Sequence, residues 1–297
     1  MDNKFNVALI GLDTSHAIEF ARRIQGSDYP DNRRVSGLSA SHCLRFATHF
    51  QDDAGLDVRQ KLLESWGIKV TSDFSEAVTV CDGLMLTINE PALHLPYLKR
   101  CLELKKPIFL DKPLADTLEN GREMVKLAIA AKVPFFCSSA LRCDPAVEAA
   151  ARLMPSPAAV TVWGPLGTAP FGSSVLWYGV HAFEMLQRLM GCGAATVQVI
   201  KDMRGMVVHV GYCDGRRGVV ELTADAYRYG GVLRDHRSPE VHFSVQDSTI
   251  FYDCLMTKVA GFFLTGQSPL PVDDMLEVMG MLDAAERSEH SGQRESL

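Results

Sequence analysis

The sequence predicts an α/β domain on a parallel sheet with helices on both faces, followed by an α+β domain on a mostly antiparallel sheet. Three observations predict it. Short apolar runs alternate with segments of helical spacing over roughly the first 140 residues, the rhythm of βαβ units. After Arg152 the pattern turns to successive strands, two of them flanking the hairpin-forming pair Asp214-Gly215. The 297 residues also exceed the usual single-domain size of about 100 to 200. The division is placed at 1–140 and 141–297.

The first strand is Phe5 to Ile10, and a helix follows from about Ser15 to Ile24. Further strands are expected at Val35 to Ala40, Gly83 to Thr87, Pro107 to Leu110 and Pro134 to Ser138. Each is a short apolar run, as suits a sheet covered on both faces. Between them, Leu95, Leu98 and Leu102 recur at helical spacing within Pro91 to Leu104, and Pro91 suits a first helical turn, where its missing N–H costs nothing. Met124, Leu127 and Ala131 share one stripe of a helix over Leu118 to Ala131. In the second half Met206 to Tyr212 and Gly218 to Ala224 read as strands, and Val241, Phe243 and Val245 alternate with polar residues in another. Val272 to Arg287 is helical, with Met275, Met279 and Leu282 on a face that reads as core; the polar tail from Ser288 is expected to be loose.

Composition narrows the function classes. A 47% hydrophobic and 22% charged chain is an ordinary globular one. Its net charge of -6 comes from 36 acidic and 30 basic residues spread along the sequence, so no basic block awaits a phosphate backbone and nucleic acid is not an expected partner. No apolar run approaches the roughly 20 residues that cross a bilayer. Met1-Asp2-Asn3-Lys4 leads into a strand pattern rather than a signal-peptide core, so no membrane association and a cytoplasmic location are expected. The eight cysteines are scattered without a Cys-x-x-Cys pair, which favours buried reduced thiols and no metal site.

Asn6 to His16 sits where a dinucleotide fingerprint belongs, at the end of the first strand and the start of the first helix. Gly11 is kept, but the second and third glycine positions hold Asp13 and His16. The second glycine normally lets backbone approach a diphosphate, so a carboxylate there is unfavourable unless it turns away. Two readings follow: Asp13, Thr14 or Ser15 caps the helix while its free N–H groups still hold phosphate, or the nucleotide site has decayed. As metal ligands, Asp13 and His16 lack a third and fourth partner. The strand ending Leu38-Ser39-Ala40-Ser41 lacks the acid that would accept from the adenosine ribose of NAD. Ser39, Ser41 and Arg45 suit a 2'-phosphate instead, which tilts the choice between NAD and NADP towards NADP.

Further segments are Asn89-Glu90-Pro91 followed by His94, Phe109-Leu110-Asp111-Lys112-Pro113, Leu141-Arg142-Cys143-Asp144-Pro145 and Tyr178-Gly179-Val180-His181-Ala182-Phe183-Glu184. With Phe262-Phe263-Leu264-Thr265-Gly266 and Asp283 to Ser288, they resemble the glucose-fructose oxidoreductase, inositol dehydrogenase and rhizopine-catabolism family, Gfo/Idh/MocA, across nearly the whole chain. Asp111 stands for the glutamate of that family's Glu-Lys-Pro signature and keeps the carboxylate. The resemblance implies a Rossmann domain followed by an open-faced, mostly antiparallel sheet that mediates homo-dimer or homo-tetramer contacts, with a small-molecule substrate at the domain junction.

Hydride transfer between a secondary alcohol and nicotinamide needs a base and a cationic hydrogen-bond donor beside the oxygen. The resemblance implies Lys112 as the cation and His181 as the acid/base. The expected cofactor contacts are Gly11, Asp13, Thr14, Ser15, His16, Ser39, Ser41, Asn89, His94, Asp111 and Lys112, and the expected substrate contacts are Arg142, Trp177 and Glu184. Trp177 replaces an aspartate that many family members carry four residues before the histidine; its indole can stack on a sugar face but brings no charge. The expected function is an NAD(P)-dependent oxidoreductase acting on a sugar, cyclitol or related polyol. The alternatives are a redox-assisted glycosidase or lyase with tightly bound NAD, and a nucleotide- or sugar-binding protein without turnover.

Overall fold

The computed structural model describes residues 4–225 and 227–297, so the expected lead-in at residues 1–3 lies outside them. The chain folds into two compact units, Met1–Cys137 with Tyr252–Leu270, and Ser138–Phe251 with Pro271–Leu297. A linear division at 140/141 therefore does not describe residues 252–270, which return to the first unit.

In chain order the first unit holds β1 (Phe5–Ile10), α1 (Ser15–Gln25), β2 (Leu38–Leu44), α2 (Asp53–Ser65), β3 (Lys69–Thr71) and α3 (Phe74–Val78). It continues with β4 (Gly83–Leu86), α4 (His94–Leu102), β5 (Ile108–Asp111), α5 (Leu118–Ala131) and β6 (Phe135–Ser138). The sheet order is β3-β2-β1-β4-β5-β6, and β1 runs parallel to both β2 and β4. This is a doubly wound Rossmann sheet whose strand order reverses at β1 and β4, the point beside which such folds bind ligands. Pro91 opens a single 3-10 turn, Pro91–Leu93, ahead of α4. The expected second strand is displaced: it runs 38–44 rather than 35–40, because pairing with β1 carries it on to Leu44.

The second unit contains α6 (Pro145–Leu153), β7 (Ala159–Pro165), α7 (Val180–Met190), β8 (Ala194–Asp202), β9 (Gly205–Tyr212) and β10 (Arg217–Thr223). Then come β11 (Gly230–Arg234), β12 (Val241–Ser244), α8 (Ser248–Thr265), α9 (Val272–Ser291) and β13 (Glu295–Ser296), with α8 from Tyr252 onward belonging to the first unit. Its sheet runs β12-β11-β7-β10-β9-β8-β13 and is antiparallel except where β7 and β10 lie parallel. The Asp214-Gly215 hairpin joins β9 to β10, with Gly215 in the left-handed region at φ 86. The tail is not loose from Ser288: that residue is buried within α9, donates to the Gln293 carbonyl and accepts from the Val199 N–H, and β13 pairs with β8.

The return of α8 has a packing cause. Phe262 meets Phe136 edge-on at 4.9 Å, extending a row through Phe109 and Phe20. Phe263 stacks on Phe5 at 5.4 Å, and a Cβ at Gly83 would come within 2.7 Å of the Phe263 ring, so β4 begins with a residue that leaves room for it. At the start of α8, Asp253 accepts from Arg23 Nε at 2.6 Å, Tyr29 Oη at 2.5 Å and Arg33 Nε at 2.8 Å. The thiol expectation needs correction: Cys192 and Cys213, in turns after α7 and β9, are exposed, and Cys254 is half-buried.

Candidate active site

Ile10 pairs with Leu44 and with Leu86, and Leu86 with Leu110, so β1, β2, β4 and β5 end on one edge of the first sheet. The segments that follow them supply the first cluster. Gly11 donates its N–H to the Leu44 carbonyl and accepts from Thr87 Oγ1 at 2.9 Å. Its φ is +109, and a Cβ would meet the Thr87 carbonyl oxygen and Ile88 at 3.0 Å, so this position requires glycine.

Asp13 has turned inwards. Its carboxylate accepts the Asn89 N–H at 2.9 Å and the Thr48 hydroxyl at 2.9 Å, and only 2% of the residue is exposed. Burial raises its pKa, and the two hydrogen bonds work against that rise. Thr14 rather than Asp13 or Ser15 is the N-cap of α1, accepting from the His16 N–H at 3.1 Å. Ser15 is exposed. Arg59 reaches the same turn from α2 and donates Nη1 to the Leu12 carbonyl at 3.0 Å.

His16 points to the end of β5, where its Nδ1 lies 2.7 Å from Asp111 Oδ2. Its ring also meets Tyr252 edge-on at 5.2 Å. Burial alone would push the Asp111 carboxyl up, but the His16 charge and hydrogen bond, with help from Lys112, hold it below the ordinary carboxylate value. Lys112 is 4% exposed, and burial lowers its pKa against the pull of Asp111 and Asp13. A lysine with a weakened hold on its proton, fixed at the end of a sheet strand, can orient an oxygen and give or take a proton.

The other residues expected at the cofactor are placed as follows. Ser39 and Ser41 lie inside β2, beside Asn6 and Val7 of β1, and Ser41 Oγ accepts from Asn6 Nδ2; with β2 ending at Leu44, they stand several residues short of the strand end. Arg45 does leave that end, but its guanidinium is engaged by Asp57 at 2.6 Å and Gln60 at 2.7 Å. His94 is fully buried, with Nε2 2.8 Å from the Ile88 carbonyl and Nδ1 3.4 Å from that of Leu114, so it ties two backbone segments together.

The second unit gathers His181, Glu184 and Arg142. His181 and Glu184 are one turn apart on α7 and so share a face. Both bind Ser139, whose Oγ is 2.6 Å from His181 Nδ1 and whose N–H donates to Glu184 Oε1 at 3.0 Å. Ser139 Oγ also accepts from the Leu141 N–H, which caps the 3-10 turn Ala140–Cys143. Arg142 lies between Glu184 Oε2 at 3.3 Å and Asp274 Oδ2 at 2.7 Å, so its guanidinium pairs with both carboxylates. Burial raises the Glu184 pKa, and Arg142 opposes the rise. Trp177 lies in a single π-helical turn, Val175–Gly179, directly before α7, and its ring meets Tyr178 at 4.7 Å. Such turns recur at functional sites.

Sequence reasoning missed Ser139, Thr48, Arg59 and Asp274. Ser139 carried a local signal, a hydroxyl just after a strand and directly before a short helical turn; the other three act on partners far away in the chain. Among the described residues no group of three or more His, Cys, Asp or Glu side chains is placed to hold a metal ion, and no helix is long and apolar enough to cross a membrane.

Known proteins share this fold. Residues 5–138 match the family model for an oxidoreductase family with an NAD-binding Rossmann fold, GFO_IDH_MocA. No curated protein sequence matches the chain. Among solved structures, GenD2 from gentamicin A biosynthesis, in complex with NAD, is similar over 99% of this chain and 97% of its own, with a TM-score of 0.81 at 14% identity. Myo-inositol dehydrogenase from Lactobacillus casei, in complex with NAD(H) and myo-inositol, covers 99% and 97% with a TM-score of 0.79 at 13% identity. Scyllo-inositol dehydrogenase from the same organism, with NAD(H) and scyllo-inositol, covers 99% and 99% with a TM-score of 0.79 at 12% identity. Those likenesses are of fold. The first unit thus has a Rossmann fold and matches a family model described as NAD-binding. Residues 5–138 are similar to the Gfo/Idh/MocA oxidoreductases.

Proposed function

We propose that the protein is an NAD(P)-dependent dehydrogenase or reductase acting on a sugar, cyclitol or related polyol. The observation that carries this reading is Lys112, a buried lysine beside the Asp111 carboxylate at the end of β5 in a Rossmann domain that matches an NAD-binding family model. Sugar or polyol as substrate is supported by the inositols named in two structures of the same fold.

The residues at the β1–α1 turn fit a dinucleotide. Gly11 leaves the turn open, Thr14 caps α1, and the Asp13 carboxylate has been drawn inwards by Asn89 and Thr48. Gly11, Thr14, Ser15 and Asn89 would hold the cofactor, whose nicotinamide supplies the hydride acceptor or donor when bound. Lys112 orients the substrate oxygen and stabilises negative charge that develops on it. His181 holds or releases the proton, with its ring set by Ser139 through Nδ1. With Arg45 engaged by Asp57 and Gln60, the tilt towards NADP loses its main support, and either nucleotide is accepted. The exposed pair Ile200 and Val207, opposite each other on β8 and β9, supports a homo-dimer or homo-tetramer formed through the second sheet.

A second reading, nucleotide and polyol binding without turnover, is favoured by one observation: the His181 Nδ1 partner is a hydroxyl, and Trp177 brings no carboxylate. Titration with NADH and NADPH, followed by a polyol screen with wild type and Lys112→Ala, separates the two. Binding with turnover that the substitution abolishes supports the oxidoreductase; failure to bind either nucleotide overturns it.

A further inference from the structure

Two arginines border the β1–α1 turn, and their surroundings differ. Arg45 is engaged by Asp57, Gln60 and, at 3.6 Å, Asp53. Arg59, half-buried on α2, donates Nη1 to the Leu12 carbonyl and pairs with no carboxylate among the described residues. A guanidinium has five N–H donors, and this contact uses one.

We infer that Arg59 is a phosphate ligand, holding the diphosphate of the bound dinucleotide at the Gly11-Leu12-Asp13 turn. The inference rests on the nucleotide-binding reading above. In a Rossmann domain the diphosphate lies at the first β–α turn, where a second glycine lets the backbone come close. Here that position is Asp13, and although its carboxylate is drawn inwards, its negative charge stays within the turn. A diphosphate adds further negative charge at the same place. Arg59 brings the opposing charge and is tethered through the carbonyl of the residue next to Asp13; burial lowers its pKa, and the nearby Asp13 opposes that fall. The planar guanidinium fork matches phosphate oxygens better than a point charge does. Aspartate in place of glycine and an arginine on the adjacent carbonyl therefore act as two halves of one anion site.

The test is direct binding of NADH and NADPH to the full chain by calorimetry, for wild type, Arg59→Met and Arg59→Lys, with thermal midpoints recorded for each. Methionine keeps the apolar stem and removes the charge, whereas lysine keeps the charge without the fork. Arg59→Met is expected to weaken both nucleotides by about tenfold or more, with a shallower salt dependence, and Arg59→Lys by less, each with a midpoint that stays above the titration temperature. Affinities for Arg59→Met within about twofold of wild type overturn the inference. A loss confined to NADPH also overturns it, because that pattern assigns Arg59 to a ribose 2'-phosphate. A wild-type protein that binds neither nucleotide overturns this inference and the oxidoreductase reading together, whereas wild-type binding that Arg59→Met leaves intact overturns this one alone.

Discussion

His16 Nδ1 lies 2.7 Å from Asp111 Oδ2, joining the first turn of α1 to the residue before Lys112 across 95 positions of sequence. The third glycine of a dinucleotide fingerprint allows close packing between helix and strand. This chain places an imidazole there and uses it to hold a carboxylate, which links the nucleotide turn to the lysine segment.

His16→Ala leaves Asp111 buried without that partner and is expected to cost about 3 kcal/mol of stability at neutral pH. The sign of the pH dependence follows from the depressed folded pKa of Asp111. Its stabilisation is complete above the unfolded value of about 4 and is lost as pH falls through the folded value. Urea unfolding of both proteins should show a deficit at pH 7 that shrinks under strongly acidic conditions; a deficit independent of pH contradicts this role.

Asp111→Asn removes the largest charge that raises the Lys112 pKa, so the lysine should titrate at lower pH than in the wild type. The pH dependence of Lys112 modification by an amine-acylating reagent, followed by peptide mass analysis, reads this directly. A Lys112 that titrates higher in the variant would count against the electrostatic coupling.

Ser139→Ala takes away the 2.6 Å contact at His181 Nδ1. Turnover is expected to fall by about tenfold, with the nucleotide affinity of the first unit unchanged. Nitrogen NMR of the imidazole should show a changed tautomer balance at His181, and an unaltered balance would show that Ser139 does not set it.

Arg142→Ala strands two carboxylates, Glu184 and Asp274, and should destabilise the protein by about 3 kcal/mol. The Glu184 pKa is already raised by burial, and loss of Arg142 raises it further. In the window between the unfolded and folded values the folded state binds the extra proton, so stability falls as pH rises through it. The deficit should be larger at pH 8 than at pH 5 in urea unfolding, and the reverse order would contradict the assignment.

Much of the fold was legible because local pattern carries it. The run Phe5 to Ile10 is β1 at both ends, and the stripe over Leu118 to Ala131 is α5. Of the candidate site, Gly11 and Lys112 were legible as motif positions at strand ends. The register of β2 was not, because its last residues, His42 to Leu44, are placed by pairing with β1 rather than by their own periodicity. The partners of His94 were not legible for a similar cause, since both carbonyls beside its ring belong to other segments.

By itself, then, the sequence determined the alternation of strands and helices, the hairpin at Asp214-Gly215 and the position of Lys112 after a strand, all of which depend on neighbours within a few residues. Only the tertiary structure decided that α8 returns to the first unit, that Asp13 turns towards Asn89 and Thr48, and that Arg142 is shared by Glu184 and Asp274. The physical reason is common to all three. A buried charge or aromatic ring takes whichever complementary group the packed chain brings within a few ångströms, and that group leaves no trace in the local pattern when it lies tens to hundreds of residues away.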